Sequence, residues 1–159
     1  MVIFSLIATL LVAIPPSPAS PFAPLHLYNG GWKVTIAEAS KPDSLLNRCT
    51  ETAAYYACEQ VLNGKPIALV VFTFTEDAHH FHSQVVLPDG KAVGRSDLTI
   101  DGPHWTYSSS GTDKNDKPIY YRTENYFDGN DKIHFEQNES ADQKTWVKKM
   151  QGDEVRASK

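Results

Sequence analysis

The sequence predicts an all-β protein, an antiparallel up-and-down meander that closes into a small barrel of about eight to ten strands. Three observations carry that expectation. From Gly30 onward, Val, Ile, Phe, Tyr and Trp alternate with polar residues over short runs. The turn dipeptides Asn63-Gly64, Asp89-Gly90 and Asp101-Gly102 separate those runs. A meander this long leaves two unpaired edges, which closure removes.

The amino end comes first. Val2 to Ile14 is almost wholly apolar, the first charged side chain is Lys33, and Pro15 and Pro16 end any helix. Thirteen helical residues reach about 20 Å, short of a hydrocarbon core of about 30 Å. The segment reads as the apolar region of a signal peptide spanning residues 1–19, cleaved after Ala19 in Ser17-Pro18-Ala19. It departs from that pattern in having no Lys or Arg ahead of the apolar run. The expected mature protein is therefore exported, periplasmic or extracellular, with no stable membrane insertion after cleavage. Residues 20–29 read as a linker and 30–159 as one barrel domain. A mature chain of about 140 residues buries about two-thirds of the surface its unfolded form exposes. With 41% hydrophobic and 21% charged residues, the composition is that of a folded chain.

Export sets the reading of the two cysteines, since Cys49 and Cys58 would meet an oxidising compartment and pair. On one straight strand their Cα atoms would lie about 30 Å apart, beyond disulfide reach. The chain must therefore bend between them, near Thr52 to Ala54.

The predicted strands lie near residues 31–37, 55–62, 66–75, 79–87, 92–100, 103–110, 118–127, 132–139 and 145–150. A helical turn is expected at Lys41 to Asn47, and a polar loop at Ser109 to Lys117. A two-residue turn at Asn63-Gly64 places Cys58 opposite Leu69 and Tyr56 opposite Val71. A turn at Asp89-Gly90 places Phe81 opposite Leu98, His82 opposite Asp97, His80 opposite Thr99 and Val85 opposite Gly94. A turn at Asp101-Gly102 places Leu98 opposite Trp105, Ser96 opposite Tyr107 and Thr99 opposite His104. Phe81, Leu98 and Trp105 then form one inward row.

The segment Tyr28-Asn29-Gly30-Gly31-Trp32, at the start of the first strand, resembles the Gly-x-Trp opening of lipocalins and related calycin barrels. In outline the chain also resembles bacterial exported lipocalin-like domains of uncharacterised activity. The resemblance implies a cup that holds a small apolar or amphipathic ligand, with Arg156 lying across Trp32. The residues expected in or near that cup are Trp32, Tyr56, Val71, Phe81, Leu98, Trp105 and Tyr107. Arg122 is a candidate anchor for a ligand carboxylate, as in fatty-acid-binding relatives. The same inward residues could instead fill the barrel as a plain core.

Several function classes find no support in the residues. The net charge of −4 and scattered Lys and Arg argue against a nucleic-acid partner. Gly-x-Ser-x-Gly, a Gly-rich phosphate loop and Cys-x-x-Cys are all missing, so no catalytic residue and no cofactor is assigned. Two alternatives to the ligand cup remain. The predicted registers bring His80, His82, Asp97 and His104 onto one outer patch, a possible metal set whose simpler reading is a solvated face with a His82–Asp97 hydrogen bond. The loop Ser109 to Lys117 could serve a protein-binding inhibitor or adaptor.

Overall fold

The computed structural model describes residues 20–75, 77 and 79–158, so the predicted signal peptide lies outside the described residues. A short 3-10 helix (Ala23–Tyr28) precedes ten strands: β1 (Gly30–Ile36), β2 (Asp43–Glu51), β3 (Tyr55–Leu62), β4 (Lys65–Phe74) and β5 (His80–Val86), then β6 (Ala92–Asp101), β7 (His104–Thr112), β8 (Pro118–Asp128), β9 (Lys132–Ser140) and β10 (Val147–Arg156). Each strand pairs antiparallel with the next, and β1 pairs with β10 to close the barrel. This is the predicted meander with one strand more than the sequence reading placed.

The added strand is β2, where a helical turn was expected. Its sequence, Asp-Ser-Leu-Leu-Asn-Arg-Cys-Thr-Glu, has little intrinsic strand preference. Pairing on both sides, with β1 and with β3, overrides that preference. The bend at Thr52 to Ala54 brings Cys49 directly opposite Cys58, Cα atoms 4.0 Å apart, in the predicted disulfide.

Residues 20–29 are not a linker. Phe22 and Leu25 are 1% and 0% exposed and sit in a core with Tyr56, Phe72, Phe81 and Trp105. The segment plugs one end of the barrel because it carries Phe22, Leu25, Leu27 and Tyr28, which have no other route out of water. Arg156 fastens it there by donating to the backbone carbonyls of Leu27 and Asn29, at 2.8 Å each. Its guanidinium lies 3.8 Å from the Trp32 ring centroid, the arrangement the lipocalin resemblance implies.

The registers depart from expectation in instructive ways. At Asn63-Gly64 the turn forms as predicted, with Leu62 opposite Lys65 and positive φ at both loop residues. A bulge next to Pro66 then shifts the ladder by one, so Cys58 faces Val70 and Tyr56 faces Phe72. Pro66 cannot donate a ladder hydrogen bond, which makes a bulge beside it inexpensive. The shift turns Phe72 inward, at 3% exposure, and Val71 outward. At the next hairpin the loop holds three residues, Pro88 to Gly90, since the Leu87 N–H bonds to the Lys91 carbonyl. A bulge at Gly94, where φ is +58°, cancels that offset. Val85 therefore faces Val93 while Phe81 still faces Leu98 and His82 still faces Asp97. The third turn uses Gly102 and Pro103 as its loop, so Trp105 lies opposite Ile100 and Leu98 opposite Tyr107. A shift of two residues keeps the same face, and Trp105 remains inside at 2% exposure.

Candidate functional site

The barrel is not filled. Above the plugged end lies a cavity of about 420 Å³, within the range of about 300–1,000 Å³ typical of small-molecule sites. Its apolar walls come from inward positions of several strands, among them Val34, Leu45, Val70, Phe72 and Phe135. Polar side chains share those walls: Asn47, Gln60, Ser83, Thr123, Asn125 and Gln137. Buried polar groups need partners, and several are found locally. Asn47 donates to the Tyr28 carbonyl at 3.1 Å and accepts from Gln60 at 3.3 Å.

Two phenols and one carboxyl define the chemistry of this space. The Tyr28 and Tyr107 hydroxyls share a hydrogen bond of 2.7 Å, and Asn125 donates to the Tyr28 oxygen at 2.9 Å. Burial holds both phenols protonated, well above the ordinary tyrosine range, and the Glu154 charge adds to the effect. Glu154 lines the same cavity from β10, between Val34 on β1 and Ile133 on β9. Removal from bulk water pushes its carboxyl up to about 7. Among the described residues Glu154 forms no ion pair, and no Lys, Arg or His lines the cavity.

Of the residues expected in or near the cup, Tyr107 lines the cavity. Trp32, Tyr56, Phe81, Leu98 and Trp105 lie beneath it, as the packed floor and plug. Val71 faces outward, turned by the bulge at Pro66. Arg122 also faces outward, because its neighbour Thr123 points in. Its guanidinium lies 3.2 Å from Glu124 and 4.3 Å from the Trp146 ring centroid, so it cannot anchor a ligand in the cup. Sequence reasoning missed Tyr28, Asn47, Asn125 and Glu154. Strand parity is the signal for Asn125 on β8 and Glu154 on β10, the latter beyond the expected end of the last strand at residue 150. Asn47 falls in β2, where a helical turn was expected, and Tyr28 in the 3-10 helix, where strand parity does not apply.

The outer histidine patch does not assemble. His80 and His82 do face Thr99 and Asp97, and His82 bonds to Asp97 at 2.6 Å. The Gly102-Pro103 turn moves His104 opposite Asp101, where it stacks on Tyr126 with ring centroids 4.6 Å apart. His80 turns instead to Asp77 at 2.8 Å. Among the described residues no group of three or more His, Cys, Asp or Glu side chains is placed to hold a metal ion. The polar loop is also shorter than expected: Ser109 to Thr112 pair with Pro118 to Tyr121. Only residues 113–117 remain as a turn, closed by Asp113, which accepts from the Asn115 and Lys117 N–H groups at 2.7 and 2.9 Å.

No protein-family model and no curated protein matches the chain. Among solved structures, the crystal structure of Rv2717c from M. tuberculosis covers 88% of this chain and 99% of its own, with a TM-score of 0.51 and 13% identity. At that identity the likeness establishes the fold. Fold and site together define a ten-stranded antiparallel β-barrel with an internal cavity. Ten strands in meander order fall within the barrel of about eight to ten strands that the sequence predicts.

Proposed function

We propose that this protein is an exported, non-enzymatic binding protein that holds a small amphipathic molecule in its barrel. The observation that carries this reading is the cavity of about 420 Å³ with both apolar walls and polar side chains facing in. A barrel that served only as a scaffold would gain more by filling that space with Leu, Ile or Phe. Keeping Asn125, Gln137 and Glu154 at inward positions costs stability, and a bound polar group offsets that cost. Export is supported by the apolar leader and by the Cys49–Cys58 disulfide. A binding role is favoured over catalysis because the two phenols in the cavity hydrogen-bond to each other and, among the described residues, no hydroxyl of the lining hydrogen-bonds to Glu154. Native mass spectrometry of protein purified from its own host tests the proposal. A non-covalent small molecule that leaves on unfolding is the expected result. Protein that arrives bare and also takes up no apolar dye such as 1-aminoanthracene would refute it.

A further inference from the structure

Resting on the cavity reading above, we propose that the preferred ligand is a cation: an organic amine whose ammonium group sits against Glu154 and whose apolar body lies along Phe72, Val70 and Phe135. The cavity carries one carboxyl and no cationic side chain, so a carboxylate ligand such as a fatty acid would meet repulsion and no counter-ion. An ammonium would give Glu154 the charge-assisted hydrogen bonds that the protein itself does not supply. Tyr107 and Asn125 lie on the same cavity lining, and the Tyr107 hydroxyl oxygen and the Asn125 side-chain carbonyl keep acceptor capacity for further N–H donors. A bare metal ion fits poorly, because a hard cation needs several oxygen ligands and most of this wall is apolar.

Proton balance follows from the same geometry. Tyr28 and Tyr107 are the titratable groups facing Glu154, while its strand neighbours Val34 and Ile133 bring none. His26 and Glu51 sit at the plugged end and bond to each other at 2.6 Å. Below neutrality the carboxyl holds a proton that an arriving ammonium must displace. Amine binding should therefore release a proton to solvent and tighten roughly tenfold between pH 6 and pH 8.

The test is displacement of bound 1-aminoanthracene, followed by calorimetry, with two matched sets: octylamine, 1-octanol and octanoate, and phenethylamine, 2-phenylethanol and 3-phenylpropanoate. The amine should bind on the order of tenfold more tightly than the alcohol in at least one set, with the carboxylate weakest. In Glu154→Gln, shown folded by its thermal unfolding, the amine's advantage and its pH dependence should both vanish. Equal affinity of amine, alcohol and acid, or an amine preference that survives Glu154→Gln, would overturn the amine inference and leave the cavity standing. Failure of both the dye and every probe to bind would overturn the cavity reading and this inference together.

Discussion

Replacing Glu154 by Gln should stabilise the protein above neutral pH and leave it nearly unchanged in acid. The carboxyl is 4.5 in its ordinary setting and about 7 in the folded barrel, raised by burial. A raised folded value means that the native state keeps the proton where the unfolded chain has lost it. The stability this group supplies is complete below about pH 4.5 and is lost as pH rises through about 7. At about 1.4 kcal/mol per pH unit, the full loss is on the order of 3 kcal/mol, a ceiling because the group faces a cavity. The carboxylates held low by hydrogen bonds, such as Glu51 with Ser20 and Glu136 with Lys148, act in the opposite direction but are common to both proteins. Urea unfolding of both proteins at pH 4.5, 6 and 8, followed by tryptophan fluorescence, isolates Glu154. The two stabilities should coincide at pH 4.5 and separate steadily, with the Gln variant higher. Parallel pH profiles, or a Gln variant less stable at pH 8, would show that Glu154 is well solvated or well partnered and would refute the reasoning.

Three further outcomes follow from the packing. Trp105→Ala should cost about 3–5 kcal/mol in urea unfolding, since the ring is 2% exposed against Tyr28 and Phe127; a loss below about 1 kcal/mol would place it outside the core. Gly152→Ala should lower the unfolding midpoint by an amount equivalent to about 1–3 kcal/mol, because the new Cβ would lie 2.4 Å from the Thr35 carbonyl oxygen and 2.8 Å from the Phe135 ring; an unchanged midpoint would mean that β1 and β10 part easily. Secreted protein should gain the mass of two hydrogens on reduction, from the Cys49–Cys58 disulfide, and two free thiols before reduction would contradict it.

Much of the barrel was legible because its hairpins announce themselves. Asn63-Gly64 formed the expected turn, and Phe81 lies opposite Leu98 as predicted. The second of these agreements hides two offsets, a three-residue loop and the Gly94 bulge, which cancel. Bulges have no strong sequence signature, and one beside Pro66 was enough to exchange Val71 for Val70 and Phe72 on the inner face. The strand β2 was unreadable because its identity comes from pairing with β1 and β3, not from Asp43, Ser44 or Asn47 themselves. The same limit concealed the site. A reading that sends polar residues outward and aromatic residues inward finds the floor, Trp32, Phe81 and Trp105, and discards Asn47, Asn125 and Glu154, whose inward placement makes the cavity. The helix at Ala23–Tyr28 escaped notice for a related reason: six residues with two prolines nearby look like a linker until Leu25 is seen buried in the barrel end.

The central claim is that the barrel holds a ligand cavity, and filling it tests that claim most directly. Ser83 is 4% exposed and its side chain lines the cavity wall. In Ser83→Phe the new ring would project into the void. Titration of 1-aminoanthracene into wild-type protein should give saturable binding at one site. The same titration into Ser83→Phe should give none, with an unfolding midpoint equal to or above that of the wild type. Dye binding that persists unchanged in Ser83→Phe, or a sharply lowered midpoint of the kind overpacking causes, would show that the interior is already filled and would contradict the account.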